Sequence, residues 1–262
     1  MTTTDPSPTP APSPEAVALA ERLGVSAFVA EVVQVLSPTP TLRRIVLRAD
    51  AVAGLAVEPG QDVMVTVGSA RRRYTIRSFD PAGATIAVHA VAHAGGPGGR
   101  WAGSVAVGDL VELIGPRGKV RLAPHADWHL VVGDETFVPA AYTMLEALPA
   151  EAHAVAVFEV GDAVDERPLQ ATVSMPGGPL WVHRADDERG DRRRHGGLLR
   201  ALRSLDLPSG IGHAYLGGEA HLVHEVRTLL AERGMPLDHI QPKAYWRADA
   251  PNAAHGEPKA VG

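Results

Sequence analysis

The sequence predicts an antiparallel β-barrel followed by a parallel α/β domain. In the first half, short segments rich in β-branched residues, often of alternating polarity, are separated by Gly, Pro and Asp. In the second half, apolar strand-like segments alternate with helical ones, which is typical of a parallel sheet covered on both faces. The pattern changes near Pro124, so we place the domain boundary there.

The strand-like segments of the first half predict one small barrel. They read FVAEVVQVL, LRRIVLRA, QDVMVTV, RRYTIRSF, ATIAVHAVA and DLVELIGP, and KVRLA continues the series. Six or seven short strands in roughly 100 residues favour an antiparallel barrel. Residues 1–14 alternate Pro with Ser, Thr and Ala, which predicts a disordered or extended tail and assigns 15–124 to the barrel.

The second half, 125–247, predicts the α/β domain. The strand WHLVV leads through GDET directly into a helix, and HAVAVFEV, PLWVHR and GHAYLGG are further strands. GGLLRALRSL is predicted to be a helix, and EAHLVHEVRTLLAERG a second helix that ends at Gly234. Residues 248–262 lack periodicity and are predicted to be a flexible tail.

Composition excludes several classes of function. The net charge of −5 disfavours broad electrostatic binding of nucleic acid, and no apolar run reaches the ~18 residues of a membrane span. The N-terminus has no basic and apolar signal pattern, so a cytoplasmic location is expected. The chain has no cysteine, which excludes disulfides, thiolate metal sites and iron–sulfur clusters. Redox chemistry would therefore need a bound cofactor.

Four segments carry a resemblance to a known family. They are RRYTIR at 72–77, HAGGPGGRWA at 93–102, GDETFVPA at 133–140, and GGEA at 217–220 with KAYWR at 243–247. In this order and spacing they resemble the siderophore-interacting proteins, a family of FAD-binding ferric-siderophore reductases related to the ferredoxin–NADP⁺ reductases. The resemblance covers residues 27–247, and its most specific parts are GDET and the terminal YWR. It implies an FAD-binding barrel and a nicotinamide-binding α/β domain.

The first segment is expected to bind FAD through Arg72, Tyr74, Thr75 and Ile76. A period of two puts Arg72 and Tyr74 on one face of the strand. There the arginine can form charge-assisted bonds to a phosphate, and the tyrosine can lie against the flavin ring. Thr75 faces the other way and can reach the flavin through its backbone amide. The alternative is an edge strand with solvated arginines.

The glycine-rich second segment is predicted to be a pyrophosphate loop that opens a short helix. Its backbone amides can form a nest for an anion. The family usually has a small hydroxyl residue where Gly99 stands, so FAD affinity here would depend on the backbone amides. The alternative is a plain glycine-rich loop. The cofactor-binding residues expected in this segment are His93, Gly96, Pro97, Gly98, Gly99 and Trp101.

Two acidic strand-to-helix junctions are expected to contact cofactor at the carboxyl ends of strands, where open α/β sheets bind ligands. Asp134, Glu135 and Thr136 form the first junction, and Gly218 with Glu219 the second. Negative charge at a helix start disfavours a phosphate, so hydroxyls, the nicotinamide or the flavin edge are the expected ligands. Simple helix capping is the alternative for both junctions.

The end of the fold is expected to face the flavin and the substrate. Trp246 would stack on an aromatic ring, and Lys243 or Arg247 would attract an anionic chelate. The alternative is an ordinary packed last strand. The charged run at 186–194 is typical of solvated surface and could also gather an anionic substrate. The scattered histidines, including His89 and His93, do not predict a metal site.

These expectations combine into one functional hypothesis. NADH or NADPH would reduce FAD, which would pass electrons to Fe³⁺ in a siderophore and release Fe²⁺, with no catalytic acid or base required. The rivals are a related flavin reductase with a protein or quinone acceptor and a carrier that never turns over. The sequence does not separate NADH from NADPH, although Arg184 could clamp a 2′-phosphate. It leaves the siderophore class and the oligomeric state open.

Overall fold

The computed structural model describes residues 10–92, 95–184 and 195–248. The chain divides into two compact units. The first unit comprises the residues up to Leu36 together with Arg43–Val57 and Asp62–Arg117, and the second comprises Ser37–Leu42, Glu58–Gln61 and the residues from Gly118 onward.

The first unit is a closed antiparallel barrel of six strands, which confirms the predicted fold of the first half. Around the barrel the strands follow the order β1-β2-β5-β4-β3-β6. Alternate side chains, such as Val63 and Val65 on β3, are fully buried in its interior. The strands are β1 (Ser26–Leu36), β2 (Leu42–Arg48), β3 (Asp62–Val67), β4 (Ala70–Asp80), β5 (Thr85–Val91) and β6 (Leu110–Arg117).

Helix α1 (Pro14–Leu23) begins inside the segment that was predicted to be a tail. The Ser13 hydroxyl accepts a hydrogen bond from the Ala16 amide and caps the helix. Gly24, in the left-handed region at φ +66°, ends it. The small buried face of the helix packs on β3 and β6. Proline at the first helical position and a serine cap therefore outweigh the tail-like composition.

The second unit is a five-stranded parallel sheet with helices on both faces, which confirms the predicted α/β class. The sheet order is β11-β10-β7-β8-β9. Its elements are β7 (Trp128–Asp134), α3 (Val138–Glu146), β8 (His153–Val160), β9 (Leu180–His183), α4 (Gly196–Ser204), β10 (Gly212–Glu219), α5 (Ala220–Glu232) and β11 (Ile240–Trp246).

Two hydrophobic cores cover the two faces of this sheet. Helix α3 packs in one core with Phe158, which is fully buried. Helices α4 and α5 pack in the other core, against Leu130 and Val157. Because both faces are buried, ligands reach the sheet at its ends, and the carboxyl ends of β7, β8 and β10 lie along one edge.

The predicted strand KVRLA is wrong, because β6 ends at Arg117 and no strand follows before β7. The Gln241 side chain explains the difference. Its amide oxygen accepts from the Arg121 amide at 2.9 Å, and its amide nitrogen donates to the Arg121 carbonyl at 2.7 Å. A side chain thus replaces a neighbouring strand, and the segment stays irregular although its composition is typical of a strand.

The two edge strands of the parallel sheet are short or interrupted. β9 has only four residues, and β11 contains Pro242, which has no amide hydrogen to donate. The outer strands therefore differ from β7, which pairs with β10 on one side and with β8 on the other along nearly its whole length.

Candidate functional site

Strand β4 and helix α2 (Gly96–Ser104) meet at Gly98. The Tyr74 hydroxyl donates to the Gly98 carbonyl at 3.1 Å. A Cβ atom at Gly98 would lie 2.8 Å from the Tyr74 hydroxyl and 3.2 Å from Cγ of Arg72. Only glycine allows the three residues to approach so closely, so the structure brings the first two predicted motifs together.

The start of α2 can receive an anion. Gly95 stands at the N-cap without a side-chain hydrogen bond, and Gly96 has φ +73°. Pro97 lies in the first turn, and Gly99 is buried. Because the N-cap residue Gly95 has no side chain to accept from the first amides, these donors and the nearby Arg72 complement a phosphate. The predicted His93 lies outside the described residues.

Aromatic side chains flank the same position. The rings of Tyr74 and Trp101 lie 5.2 Å apart at 36°. Burial raises the pKa of the Tyr74 phenol although Arg72 opposes the shift, so the phenol stays neutral and can donate. Thr75 and Ile76 are 5% and 3% exposed, and Ile76 belongs to the barrel core. Their side chains thus support the strand, which leaves backbone atoms for any ligand contact.

Asp134 ties together three strand ends in the second unit. Its carboxylate is fully buried and accepts from the Thr136 amide at 2.9 Å, the Glu219 amide at 2.8 Å and the Trp246 indole nitrogen at 2.9 Å. The Thr136 hydroxyl donates to it as well. Burial and the neighbouring Glu135 raise the pKa of Asp134 to about 6. Asp134 therefore organises this edge of the sheet, and we assign it a positioning role.

The expectation that GDET opens a helix is wrong. A turn follows β7, and α3 begins only at Val138, with Phe137 at the N-cap position. Asp134 bonds the amide two residues on, which is a turn and not a helix cap. The ring of Phe137 lies against Gly133 and Gly217, where a Cβ atom would come within 2.7 Å and 2.1 Å of it. These contacts explain why glycines precede both acidic junctions.

The second junction matches the capping alternative. Glu219 is the N-cap of α5, and its carboxylate accepts from the Leu222 amide at 3.1 Å and from the His221 amide. Burial would raise its pKa, but the His195 imidazole 3.7 Å away and hydrogen bonds from three backbone amides lower it to about 2. Gly218 has φ +126°, and a Cβ there would lie 2.6 Å from the Asp134 carboxylate. Gly218 and Glu219 thus fix the backbone where β10 ends and α5 begins.

Sequence reasoning missed a buried charge cluster at this edge. His195 Nδ1 lies 2.7 Å from Glu159 Oε2, and its Nε2 lies 3.7 Å from Glu219. Arg184 reaches Glu159 at 3.2 Å and Glu135 at 2.7 Å. Glu159 is 0% and His195 4% exposed. The only signal in the sequence was a glutamate near the end of an apolar strand, and nothing marked His195.

This cluster fixes the protonation state of His195. Burial lowers the pKa of the imidazole, but the hydrogen bond to Glu159 and the Glu219 carboxylate 3.7 Å from Nε2 outweigh it and raise the pKa to about 9. His195 is therefore a cation at neutral pH. Two buried atoms of the cluster, Glu159 Oε1 and His195 Nε2, have no hydrogen-bond partner among the described residues.

The predicted substrate residues differ in exposure. Lys243 is 4% exposed, and its ammonium lies 5.4 Å from the centre of the Tyr245 ring. Arg247 is exposed to solvent. Trp246 is half-buried with its indole N–H directed to Asp134. This geometry favours Arg247 over Lys243 for contact with a soluble anion.

The described residues contain neither a metal-ligand cluster nor a membrane-spanning helix. No group of three or more His, Cys, Asp or Glu side chains among them is arranged to hold a metal ion. No helix in the described ranges is long and apolar enough to cross a bilayer.

Two family models match the chain. The siderophore-interacting FAD-binding domain matches residues 66–120, and the siderophore-interacting protein model matches residues 126–249. The first match contains β4 and α2, and the second contains the carboxyl edge of the parallel sheet. Both parts of the candidate site thus fall within matched regions.

Related sequences and structures agree with these matches. Ferric vibriobactin reductase ViuB of Vibrio cholerae is 30% identical over 194 residues, covering 72% of this chain and 69% of that protein. An uncharacterized protein of Mycobacterium tuberculosis is 35% identical over 187 residues, or 67% of this chain, which spans only 64% of that protein's length. A siderophore utilization protein from T. fusca superposes with a TM-score of 0.76 at 33% identity, covering 88% of this chain and 96% of that one. SipS of Aeromonas hydrophila gives 0.72 at 24% identity, with coverage of 86% and 92%.

Proposed function

Since this chain belongs to the siderophore-interacting protein family, we propose that it is an FAD-dependent reductase of ferric siderophores that takes electrons from a nicotinamide nucleotide. The net reaction is NAD(P)H + 2 Fe³⁺ → NAD(P)⁺ + 2 Fe²⁺ + H⁺. Bound FAD would link the two-electron donor to the one-electron acceptor. Fe²⁺ carries less charge than Fe³⁺ and is held less tightly by anionic oxygen ligands, so reduction releases the iron.

The observation that carries the proposal is the convergence at Gly98. The first amides of α2 include that of this residue, the neutral Tyr74 phenol bonds its carbonyl, and the Arg72 side chain, which ends in a guanidinium, passes it with Cγ and Cδ 3.2 Å and 3.6 Å from a Cβ placed there. Amides and a guanidinium suit a pyrophosphate, while the Tyr74 and Trp101 rings suit a planar aromatic group. The residues present therefore fit a flavin dinucleotide.

The chain's own residues bind and orient, and none is needed as an acid or base. Arg72 would neutralise phosphate charge, and Tyr74 would fix the start of α2 through its bond to Gly98. Asp134 holds the turn after β7 in place through its four donors. Arg247, exposed at the end of the fold, would attract an anionic chelate.

Anaerobic iron reduction tests the proposal. The purified protein is mixed with FAD, and its visible spectrum reports flavin uptake. NADH or NADPH is then added with a ferric hydroxamate or a ferric catecholate, and ferrozine traps Fe²⁺. We expect a flavin spectrum and Fe²⁺ that forms only when nucleotide is present.

The other outcomes are equally clear. Flavin uptake and nucleotide oxidation without Fe²⁺ formation would indicate that the electron acceptor is not a siderophore but another molecule, such as a protein or a quinone. No uptake at excess FAD would refute the reductase and leave a carrier. Gly98→Ala, which would crowd Tyr74 and Arg72, should weaken flavin uptake in this assay. Gly103→Ala is its matched control, because a Cβ at Gly103 meets nothing within 4 Å.

A further inference from the structure

Arg184 occupies the position at which a 2′-phosphate of NADPH would be selected or rejected. It directly follows β9, at the edge of the sheet where open α/β folds take up ligands. Its side chain already bonds two carboxylates. One terminal nitrogen lies 2.7 Å and the other 3.4 Å from the Glu135 carboxylate, and Nε lies 3.2 Å from Glu159.

The charge around Arg184 opposes a further anion. Among the described residues, the carboxylates of Asp134, Glu135, Glu159 and Glu219 share this edge with the cations Arg184 and His195. Arg167 also donates to the Glu135 carbonyl at 3.2 Å, so the net charge of these seven groups is −1. A 2′-phosphate would add about −1.5 to −2 more. To bind it, Arg184 would have to leave a carboxylate, which would then lie unpaired beside the phosphate.

An unpaired acceptor at the same edge points to a hydroxyl ligand. Glu159 Oε1 is buried, and none of the residues in the described ranges donates a hydrogen bond to it. Such an oxygen is satisfied by a donor, and a ribose 2′-hydroxyl is a donor whereas a phosphate oxygen accepts. In nucleotide-binding α/β folds an acidic residue about 20 residues after the first turn commonly accepts from this hydroxyl. Glu159 follows Asp134 by 25 residues, on the neighbouring strand.

The other unpaired atom does not reverse this reasoning. His195 Nε2 is a donor, but it faces Glu219 at 3.7 Å, and Glu159 holds the opposite side of the ring. Its charge is thus shared between two carboxylates of the fold.

Building on the proposed function, we propose that Glu135 and Glu159 hold Arg184 away from a 2′-phosphate, so that the chain takes NADH in preference to NADPH. Glu135 is the residue that determines this specificity, because its side chain is partly exposed, at 21%, whereas Glu159 is not. The discrimination combines charge repulsion of the NADPH 2′-phosphate with a hydrogen bond from the NADH ribose 2′-hydroxyl to Glu159.

Calorimetric titration with 5′-AMP and with 2′,5′-ADP, which differ only by the 2′-phosphate, tests the inference without any turnover. We expect the FAD-loaded protein to bind 5′-AMP at least about tenfold more tightly than 2′,5′-ADP. Glu135→Gln frees the guanidinium and should narrow that ratio at least about fivefold. Glu166→Gln is the matched control: it removes the same charge beside His183, which adjoins Arg184, and it should leave the ratio unchanged.

Three results would overturn the inference: a wild-type preference for 2′,5′-ADP, an equal shift in both variants, or binding of neither ligand. If Glu135→Gln does not fold, the wild-type ratio alone decides. The iron assay separates this inference from the proposed function. Fe²⁺ formation driven better by NADPH would support the reductase and refute the specificity. Selective binding of 5′-AMP without Fe²⁺ formation would support the specificity and refute the reductase.

Discussion

The two parts of the candidate site have opposite polarity. At Gly98 the chain presents donors, namely the first amides of α2, whose N-cap residue Gly95 has no side chain to cap them, and the nearby side chain of Arg72. At the carboxyl edge of the parallel sheet it presents carboxylates, and most of these are already bonded to groups of the protein. The chemistry of the first part suits an anion, whereas the carboxylates of the second stabilise the protein's own backbone and disfavour an anion.

The largest effect on stability should follow from a substitution at the carboxyl edge of the parallel sheet, where the carboxylates bond groups of the protein itself. Gly218→Ala puts a Cβ 2.6 Å from the Asp134 carboxylate at φ +126°, so we expect it to lower the free energy of unfolding by about 3 kcal/mol or more. Gly177→Ala is the control, because φ there is +80° but the space is open, and it should cost only about 1 kcal/mol. Urea unfolding followed by tryptophan fluorescence measures both, and equal losses would contradict the close contact.

The same edge predicts a pH dependence. Because the pKa of His195 is raised from 6.5 to about 9, the folded state holds its proton more tightly than the unfolded state. The stabilisation is complete below about pH 6.5 and is lost as the pH rises through 9, a change of roughly 3 kcal/mol. His195→Gln should remove this slope, which unfolding curves between pH 6 and 10 will show. If the pH dependence of stability persists in His195→Gln, it arises from another titratable group.

At the start of α2, Gly98→Ala tests whether the close approach of Tyr74 and Arg72 to Gly98 is needed for FAD binding. The added Cβ would push against Tyr74 and Arg72, so we expect FAD affinity to fall at least about tenfold while the fold is retained. Fluorescence titration with FAD measures the affinity. The control Gly103→Ala, on the same helix, should leave it unchanged, and equal losses would mean that α2 itself had been disturbed.

The smallest effect should come from Tyr74→Phe. The change removes one hydrogen bond, to the Gly98 carbonyl, and keeps the ring beside Trp101. A lost bond of about 1 kcal/mol corresponds to roughly fivefold weaker FAD binding in the same titration. Ser104→Ala, which removes an exposed hydroxyl from α2, is the control. No change for Tyr74→Phe would shift the role of Tyr74 from the hydroxyl to the ring.

The sequence was sufficient for the fold class because its two periodicities are local. Alternation with period two in the first half and strand–helix alternation in the second need no knowledge of distant contacts. The same reasoning placed Arg72 and Tyr74 on one face of β4, and both lie beside Gly98.

The failures depend on contacts that are remote in sequence. KVRLA has a strand-like composition, but Gln241, 120 residues away, takes the hydrogen bonds of Arg121. Asp134 resembles a helix cap, yet Trp246 and Glu219 use its oxygens from more than 80 residues away. His195 gains its partners only when β8 and β10 align beside β7. Pattern alone does not reveal such partners.

The form of the two outer strands bears on how the protein behaves when it is concentrated. A long, regular outer strand offers a row of unused amides and carbonyls on which another chain can add as a further strand, which begins aggregation. β9 is only four residues long, and Pro242 interrupts the donors of β11. Within the described ranges, neither side of this sheet offers a continuous template, so the form of its outer strands protects the unit from aggregation without using the charged groups at its carboxyl edge.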